Sequence, residues 1–360
     1  MCYDSPAEPA RATKVVCRLR EIIAGIDAGS ASAMSVKFLI NPVAREQGGR
    51  RLWSRLKEAC ARLGYLEGKE YSVEWTRSDA IVDQAWRAAA AWDRVVAVGG
   101  DGTVRAVAEG LLRADTGASL GVIPQGTGND FARALGLYGL WARRRALGIE
   151  PIVRHLATGP TTRVDVLSAN DHLCFMSYCS IGWDARVCHA YARLRRHRTV
   201  RAALRRRFIN ECTYAILGLR YWGTRLPSLS LQLDTPEAGW SAGEIFPGAC
   251  TLIVSNVSSY AGGAPLTPCS SYQDGQFEVT PVPQPYLFAL LVISRYWPYL
   301  RRSCALQSRR VTGIHLSLPP RYALEADGDD ATRALAGDTS LSIKVAGQIG
   351  VVSGPGETPS

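Results

Sequence analysis

The sequence predicts a two-domain protein, in which a three-layer α/β domain with a mostly parallel sheet precedes an antiparallel β-sandwich. Strand-like and helix-like runs alternate over residues 35–152, and such alternation indicates a parallel sheet covered by helices on both faces. From Thr161 onward the pattern changes to short β-rich runs separated by turn residues, which is typical of antiparallel sheets. A chain of 360 residues is long enough for two domains, and we expect the ligand site in the cleft between them.

Each element follows from the local pattern of apolar and turn residues. In the first domain, strands are predicted at 37–41, 71–76, 94–98 and 120–123, and helices at 47–64, 79–92, 103–113 and 129–136. In the second, β runs are predicted at 161–169, 172–180, 229–234, 250–256, 276–282 and 311–318. The expected domains are 35–155 and 156–335, with a basic helical insertion at 186–225 and a C-terminal strand within 336–352 that returns to the first domain.

The most informative segment is 94–110, which reads as a buried strand, a tight glycine turn and a helix opening at Thr103, the predicted N-cap. The turn contains three glycines, Gly99, Gly100 and Gly102. Glycines let a backbone approach a ligand closely, and the free N–H groups and positive end of a helix attract anions, so this turn predicts a phosphate cradle. Asp101 adds a carboxylate, which beside phosphates suggests a bridging Mg²⁺ or an orienting role.

A second strand, glycine loop and helix follow at 120–135, where Thr127 and Asn129 offer caps and Asp130 falls in the first helical turn. An earlier strand ends at Asn41. We expect these strand ends to meet at one edge of the parallel sheet, where open α/β folds bind ligands. Neither the dinucleotide-binding nor the P-loop motif is present in the chain.

With these motifs, the chain resembles the diacylglycerol kinase catalytic domain, whose superfamily includes bacterial lipid kinases, sphingosine kinases and ceramide kinases. The first-domain motifs are NP-x-x-x-x-x-G-G at 41–49, GGDGT at 99–103 and GTGNDFAR at 126–133. The later ones are Arg163-Val164-Asp165, the turn Ser180–Ala185, the stretch from Asn256 through Gly262-Gly263 and Pro268 to Asp274-Gly275, and Ala326–Asp329. The motifs keep their order from about Ser35 to Val351.

The resemblance implies an ATP- and Mg²⁺-dependent kinase that transfers the γ-phosphate to the primary hydroxyl of a lipid alcohol, first of all diacylglycerol, giving phosphatidic acid. Asp327 would be the base that accepts the hydroxyl proton, supported by an acidic cluster of Asp101, Asp130 and Asp165. The implied nucleotide contacts are Asn41, Gly99, Gly100, Gly102, Thr103, Gly126, Thr127, Gly128, Asn129 and Asp329.

Two further features of the resemblance concern the second domain. Asp329 stands where the family usually has Glu, so its carboxylate is one methylene shorter and its nucleotide or metal contact is in doubt. Asp274 would hold a structural cation near Phe277. Three alternatives stay open: a kinase of sphingoid bases or other lipid alcohols, a catalytically weak membrane-binding regulatory protein, and a nucleic-acid-binding protein.

The charge is concentrated in one block. The chain has a formal net charge of +10, and Arg186–Arg225 contains eleven arginines but one acid, Glu211. A solvated helix face, nucleic acid and an anionic membrane surface could each explain such a block. The kinase motifs favour the membrane, so no nucleic-acid partner is expected. The apolar stretch Leu287–Ile293, with aromatic residues around it and Arg301-Arg302 following, predicts an amphipathic helix that packs in the core or enters the bilayer interface.

The remaining segments indicate the compartment. Residues 1–34 carry no motif and are expected to be a disordered tail or a start-codon artefact, with a membrane-touching helix as the alternative. No secretory signal or membrane span is evident, and the cysteines lack C-x-x-C spacing, so we expect reduced thiols, including Cys174, Cys179, Cys188 and Cys250. The sequence therefore predicts a cytoplasmic protein at the inner face of the membrane, and leaves a homodimer open.

Overall fold

The computed structural model describes residues 34–44, 48–126, 128–197, 199–200, 204, 207–227, 230–235, 239–242, 248–267, 270–294, 306–318 and 322–355. Several parts of the predictions lie outside these residues: 1–33, Thr127, Pro268, 295–305, and Arg198, Arg201, Arg205 and Arg206 of the basic block.

The first domain is built on a parallel sheet with the order β2-β1-β3-β4. Its strands are β1 Val36–Ile40, β2 Tyr71–Trp75, β3 Arg94–Gly99 and β4 Ser119–Pro124. All four lie within about two residues of their predicted bounds, and β3 and β4 are buried throughout. Continuous burial is expected of parallel strands that are covered on both faces.

Seven helices flank this part of the sheet among the described residues. They are α1 Gly48–Arg62, α2 Ile81–Ala89, α3 Asp101–Ala114, α4 Asp130–Ala134, α5 Leu137–Ala142, α6 Arg144–Leu147 and α7 Glu150–Thr158. Alternate side chains of β3 enter two separate cores: Val95 packs with Val107 of α3, and Val96 packs with Leu56 of α1 and Leu156 of α7. The predicted three-layer arrangement is therefore confirmed.

The second domain is antiparallel. Its strands are β5 Thr161–Ala169, β6 Leu173–Phe175, β7 Tyr178–Gly182, β8 Leu231–Thr235, β9 Gly239–Ala242, β10 Thr251–Ser255, β11 Ser259–Tyr260, β12 Ala264–Pro265, β13 Phe277–Val282, β14 Arg309–Val311, β15 Gly313–Ser317, β16 Leu324–Ala326, β17 Asp329–Asp330 and β18 Ser340–Val352. Its helices are α8 Trp183–Arg195, α9 Arg207–Arg220 and α10 Pro285–Ser294. One sheet has the order β14-β13-β10-β7-β16-β17.

The other layer of the sandwich is continuous with the first domain. The strands β18, β15, β8, β9, β5 and β6 extend the parallel strands into one ten-stranded sheet. β18 joins the two parts, because Val351 pairs in parallel with Leu120 of β4 while the same strand runs antiparallel to β5 over nine residue pairs. A core that includes Leu167, Phe277 and Leu341 lies between the two layers.

Two predicted strands are each divided in the structure. The run predicted at 172–180 is broken between β6 and β7, because the backbone N–H groups of Met176 and Ser177 are bound by the Asp327 carboxylate. The run predicted at 311–318 is broken at Thr312, where the chain passes from the six-stranded sheet to the ten-stranded sheet. Neither break has a local signal, because both depend on pairing partners far away in the chain.

Candidate active site

Two glycine loops meet where the parallel strands end. The first, Gly99–Gly102, follows β3, and the second, 126–129, follows β4; together they are called the cradle below. A Cβ atom on Gly126 would lie 2.7 Å from Cα of Gly100, and one on Gly100 would lie 3.1 Å from Cα of Gly126. The two backbones therefore touch, and no residue with a side chain fits at Gly126 without displacing them.

The predicted N-cap role of Thr103 is wrong. α3 begins at Asp101, its N-cap residue is Gly100, and Thr103 lies buried in the first turn. The Thr103 hydroxyl accepts a hydrogen bond from Asn41 Nδ2 at 3.0 Å, which links the end of β1 to the cradle. A Cβ on Gly99 would lie 2.5 Å from Thr103 Oγ1, so the glycine makes room for this inward side chain.

The start of α3 still has the chemistry of an anion site. The first N–H groups of a helix lack partners within the helix, and the helix dipole adds positive potential at this end. The short distance between the glycine loops lets backbone rather than side chains line the space beside these groups. This arrangement fits the phosphates of a nucleotide.

Asn129 closes the second loop. It occupies the N-cap position of α4 with φ at 54°, but its side chain does not cap that helix. Its Oδ1 accepts the N–H of Gly126 at 2.8 Å, and its Nδ2 donates to the Gly126 carbonyl at 2.9 Å. Its own N–H donates to Asp101 Oδ2 at 2.8 Å, so this residue also fixes the position of the first loop's carboxylate.

Three of the predicted acids come together beside the cradle. A Cβ on Gly128 would lie 3.2 Å from Oδ2 of both Asp101 and Asp130, which places these carboxylates close to each other. Desolvation, together with the charges of Asp130 and then Asp327, raises the pKa of Asp101 to about 7, against the opposing effect of the Asn129 N–H. A carboxylate in this environment is stabilised by a proton or by a cation.

A magnesium ion fits these acids, because carboxylate oxygens are its preferred protein ligands. In the part of the chain that the structure describes, no group of three or more Asp, Glu, His or Cys residues is arranged as a complete metal site. Mg²⁺ usually takes one or two carboxylates and completes its coordination with phosphate oxygens and water. Asp101 and Asp130 could supply that limited share.

Asp130 also connects the two domains. Its carboxylate accepts the N–H of Gly262 at 2.8 Å and of Gly263 at 2.9 Å, both in the turn between β11 and β12. The Tyr178 hydroxyl donates to Asp130 Oδ2 at 3.1 Å. Burial raises the pKa of Asp130, and these hydrogen bonds oppose the rise. The residue therefore holds part of the second domain against the cradle.

Asp327 lies close to this cluster from the second domain. It has φ at 48°, and its two oxygens accept backbone N–H groups from Met176 at 2.9 Å, Ser177 at 2.8 Å and Tyr178 at 3.1 Å. Desolvation raises its pKa, and the three N–H groups oppose that rise. A carboxylate has about four acceptor positions, so one is left for a substrate hydroxyl. The role of base stays a prediction.

Asp329 does reach the cradle despite its shorter side chain. Its Oδ2 lies so close to Cα of Gly102 that a Cβ on this glycine would overlap the carboxylate. Gly102 is therefore the position at which the second domain contacts the start of α3.

Asp165 and the predicted cation ligands lie elsewhere. The Asp165 carboxylate accepts Gly275 N–H at 2.9 Å and Gln348 Nε2–H at 2.8 Å, and the acid whose charge acts on it is Asp274. The structure thus joins Asp165 to the 273–275 turn rather than to Asp101 and Asp130. The side chain of Phe277 is fully buried, so only its backbone carbonyl could ligate a cation, and Asp274 Oδ2 lies 3.8 Å from Arg310 Nη1. The cation site stays a prediction.

Sequence reasoning missed a buried acidic pair behind Asp327. The hydroxyl of Ser180 lies 2.9 Å from Asp184 Oδ2 and 3.1 Å from Glu325 Oε2, Tyr260 donates to Asp184, and Glu325 accepts the N–H of Gly328. Burial raises the pKa of both acids, which favours protonation of at least one. The sequence signal that could have revealed this pair is Glu325, an acid inside the apolar strand β16. Its contact with Gly328 supports the turn that carries Asp327.

Two models of one family match this chain in succession. The diacylglycerol kinase catalytic domain matches residues 35–169, and the diacylglycerol kinase accessory domain matches residues 174–293. The chain belongs to the diacylglycerol kinase family. The motif resemblance is confirmed, and the two matches meet at the turn between β5 and β6.

Curated relatives of the chain are named as probable lipid kinases. The "Probable lipid kinase YegS-like" of Pseudomonas putida strain KT2440 is 30% identical over 213 residues, which is 59% of this chain and 63% of the relative. A relative of the same name from Yersinia enterocolitica is 26% identical over 251 residues, 69% of this chain and 73% of the relative. The chain thus spans a little under two thirds of the first relative's length.

Solved structures share the fold. The crystal structure of a diacylglycerol kinase from Bacillus anthracis strain Sterne covers 91% of this chain and 99% of its own, with a TM-score of 0.61 at 17% identity. A putative diacylglycerol kinase from the same organism gives a TM-score of 0.60 at 18% identity. The predicted fold class is confirmed by this likeness.

Proposed function

We propose that this protein is an ATP- and Mg²⁺-dependent lipid kinase that transfers the γ-phosphate to the primary hydroxyl of a lipid alcohol. Diacylglycerol is the first candidate, with phosphatidic acid as product. The observation that carries the proposal is the cradle: two glycine loops in backbone contact at the start of a helix, beside the partly buried carboxylate of Asp101.

In this proposal one set of groups binds the phosphates and Mg²⁺, and Asp327 accepts the proton. Phosphoryl transfer depends mainly on positioning and on charge neutralisation, which backbone N–H groups at the start of α3 and a Mg²⁺ at Asp101 and Asp130 would supply. A lipid hydroxyl becomes a good nucleophile when a base accepts its proton. Asp327 presents a carboxylate with one acceptor position left, close enough to Asp101 for its charge to be felt there.

A lipid panel tests the proposal. The purified protein, labelled ATP and Mg²⁺ are incubated with micelles containing diacylglycerol, sphingosine or ceramide, and labelled lipid is measured. We expect transfer to one lipid class, and its loss when Mg²⁺ is chelated. ATP binding by calorimetry without transfer to any lipid would favour the catalytically weak regulatory protein, and absence of ATP binding would contradict the assignment of the cradle.

We infer that the protein docks on an anionic membrane through α9 and α10. Ile216 and Leu219 of α9 are 65% and 67% exposed, and Trp222 in the turn after α9 and Tyr286 and Ile293 of α10 are also exposed. Arg225 Nη2 donates to Gln284 Oε1 at 2.7 Å, which ties the segment after α9 to the start of α10. These five apolar side chains are called the apolar face below.

The charge around the apolar face selects the partner. Among the described side chains, the exposed arginines on α8, α9 and the adjoining turns are Arg186, Arg193, Arg195, Arg196, Arg220 and Arg225. Apolar side chains interspersed with cations fit a bilayer interface with acidic headgroups, since the apolar groups enter the acyl boundary while each cation near the surface adds about 1 kcal/mol. Among the described residues no helix is long and apolar enough to cross the bilayer, so the proposed attachment is peripheral.

A further inference from the structure

Arg105 is a cation without a partner in the acidic cleft. It lies on α3 one turn after Asp101, and at 3.6 residues per turn it shares the face of the helix that carries Asp101 and Gly102. Its Nε is buried and has no hydrogen-bond partner, and within the described ranges the guanidinium forms neither an ion pair nor a hydrogen bond. The cradle motifs do not account for this residue.

Arg105 belongs to the first domain, but its charge acts on two acids of the second domain. After desolvation, which raises the pKa of Asp329, the charge of Arg105 is the largest influence and lowers that pKa. The same guanidinium also lowers the pKa of Asp327. Asp329 of the second domain lies against Gly102, three residues before Arg105 on the same helix.

Arg105 has the chemistry of an anion ligand. A buried donor that is left unsatisfied is unfavourable, and more so when the group is charged. The planar guanidinium presents five N–H donors in a geometry that matches phosphate oxygens. A polyphosphate that enters a cleft lined by Asp101, Asp130, Asp327 and Asp329 would be repelled unless fixed cations offset these charges.

The neighbouring arginine of the second loop does not serve this purpose. Arg133 Nε donates to the Gly128 carbonyl at 3.1 Å, and its guanidinium stacks on the ring of Tyr138 with 3.7 Å between its Cζ and the ring centre. Arg133 is thus engaged in shaping the loop, whereas Arg105 keeps its donors available beside the phosphate cradle.

We propose that Arg105 binds the terminal phosphates of the nucleotide. The inference rests on the proposed function, since it assumes that the cradle binds a nucleoside triphosphate. Arg105 holds the β- and γ-phosphate oxygens and offsets charge on the phosphoryl group during transfer.

Calorimetric binding of ATP and AMP, both with Mg²⁺, tests the inference on the full chain. We compare the unchanged protein with Arg105→Gln, Arg105→Lys and the control Arg113→Gln. Arg113 lies on the same helix but is exposed and paired with Glu109. Loss of a charge-assisted contact to the terminal phosphates should weaken ATP binding roughly 10- to 100-fold in Arg105→Gln and less in Arg105→Lys. AMP binding, and ATP binding by Arg113→Gln, should not change.

Three results would overturn the inference. Equal ATP affinity of Arg105→Gln and the unchanged protein would show that Arg105 does not contact the nucleotide. Equal weakening of ATP and AMP, together with a lower melting temperature, would show a structural role. Absence of ATP binding by the unchanged protein would overturn the proposed function and this inference with it, while the first two results leave the proposed function standing.

Discussion

At the residue scale, the carboxylates of the cleft combine structural and chemical roles. Asp327 anchors the turn between β6 and β7 through three backbone N–H groups, although its position in the family motif points to proton transfer. Asp130 anchors the 262–263 turn while its charge acts on Asp101. Substitutions at these positions must therefore preserve the hydrogen bonds if they are to report on catalysis.

Asp327→Asn separates the two roles of this residue better than Asp327→Ala. The amide oxygen can still accept the N–H groups of Ser177 and Tyr178, whereas alanine would leave three buried donors without partners. If Asp327 is the base, the asparagine variant should transfer phosphate about 10²–10⁴ times more slowly with unchanged ATP affinity. The measurements are single-turnover transfer and calorimetric ATP binding.

Asp171→Asn is a matched control, because Asp171 is an exposed acid paired with Lys344. Normal phosphate transfer by the Asp327→Asn variant would show that Asp327 only anchors the turn and is not the base. One that loses ATP binding with an intact fold would assign it to nucleotide or metal binding.

Asp101 makes the stability of the ligand-free protein depend on pH. Its pKa is about 7 in the folded protein, whereas an unfolded Asp titrates near about 4, so the folded state holds more protons between these values. Stability contributed by this group therefore falls as pH rises from about 4 to about 7. Asp101→Asn should raise the melting temperature relative to the unchanged protein, more at pH 8 than at pH 5, and should strongly reduce transfer.

Melting curves of the two proteins at both pH values, without nucleotide or Mg²⁺, provide the measurement. A difference in melting temperature that does not grow with pH would mean that Asp101 is not buried as an anion in the ligand-free cleft.

At the element scale, the cradle depends on backbone contact between two strand-loop-helix units. β3 and β4 are adjacent and parallel, so the loops that follow them are brought together by sheet pairing alone. Asn129 then fixes the second loop by hydrogen bonds to Gly126 and Asp101. The distance between Gly100 and Gly126 leaves no freedom for a side chain.

Gly126→Ala should abolish nucleotide binding while the domains stay folded, because its Cβ would lie 2.7 Å from Cα of Gly100. Gly139→Ala is the control, since a Cβ there meets nothing within 4 Å. ATP titrations and melting curves of both variants are the measurements. ATP binding by Gly126→Ala at the affinity of the control would contradict the close approach of the loops.

At the scale of the whole molecule, the cleft is held by elements that belong to both domains. β18 pairs with β4 of the first domain and with β5 and β15 of the second, so one sheet runs through both. Asp130 and Asp329 add polar contacts from one domain to the other at the cradle. The apolar face proposed for membrane docking lies on α9, the turn after it and α10, all in the second domain.

Replacing both Ile216 and Leu219 by Ser should weaken binding to vesicles that contain anionic lipid, because each side chain buries apolar area in the interface. Binding of the unchanged protein should also weaken as salt rises, since the Debye length falls from about 10 Å at 0.1 M to about 3 Å at 1 M. Co-sedimentation with vesicles over a salt series measures both effects.

Trp86→Ser is the control, because Trp86 is an exposed aromatic residue on α2 of the first domain. Equal vesicle binding by the double variant and this control would exclude the apolar face as the membrane contact. Tight binding of duplex DNA by the unchanged protein, without vesicle binding, would instead support the nucleic-acid alternative.

The strand-loop-helix units and the family could both be predicted from the sequence. Strand period, glycine turns and helix signals are local, so the segments that became β3-α3 and β4-α4 were predicted within about two residues. The order of the motifs along the chain predicted the family. Local pattern also placed Asn41 beside the cradle, because adjacent parallel strands end at one edge.

The binding partners of the polar side chains could be found only in the folded molecule. Asp327 accepts an N–H from Met176, 151 residues away, and Asp130 accepts one from Gly262, 132 residues away. Thr103 faces Asn41 instead of capping its helix, Asp165 joins the 273–275 turn instead of the acidic cluster, and Arg105 lies without a partner between two domains. Such contacts depend on chain segments that meet after folding, and local propensity carries no information about them.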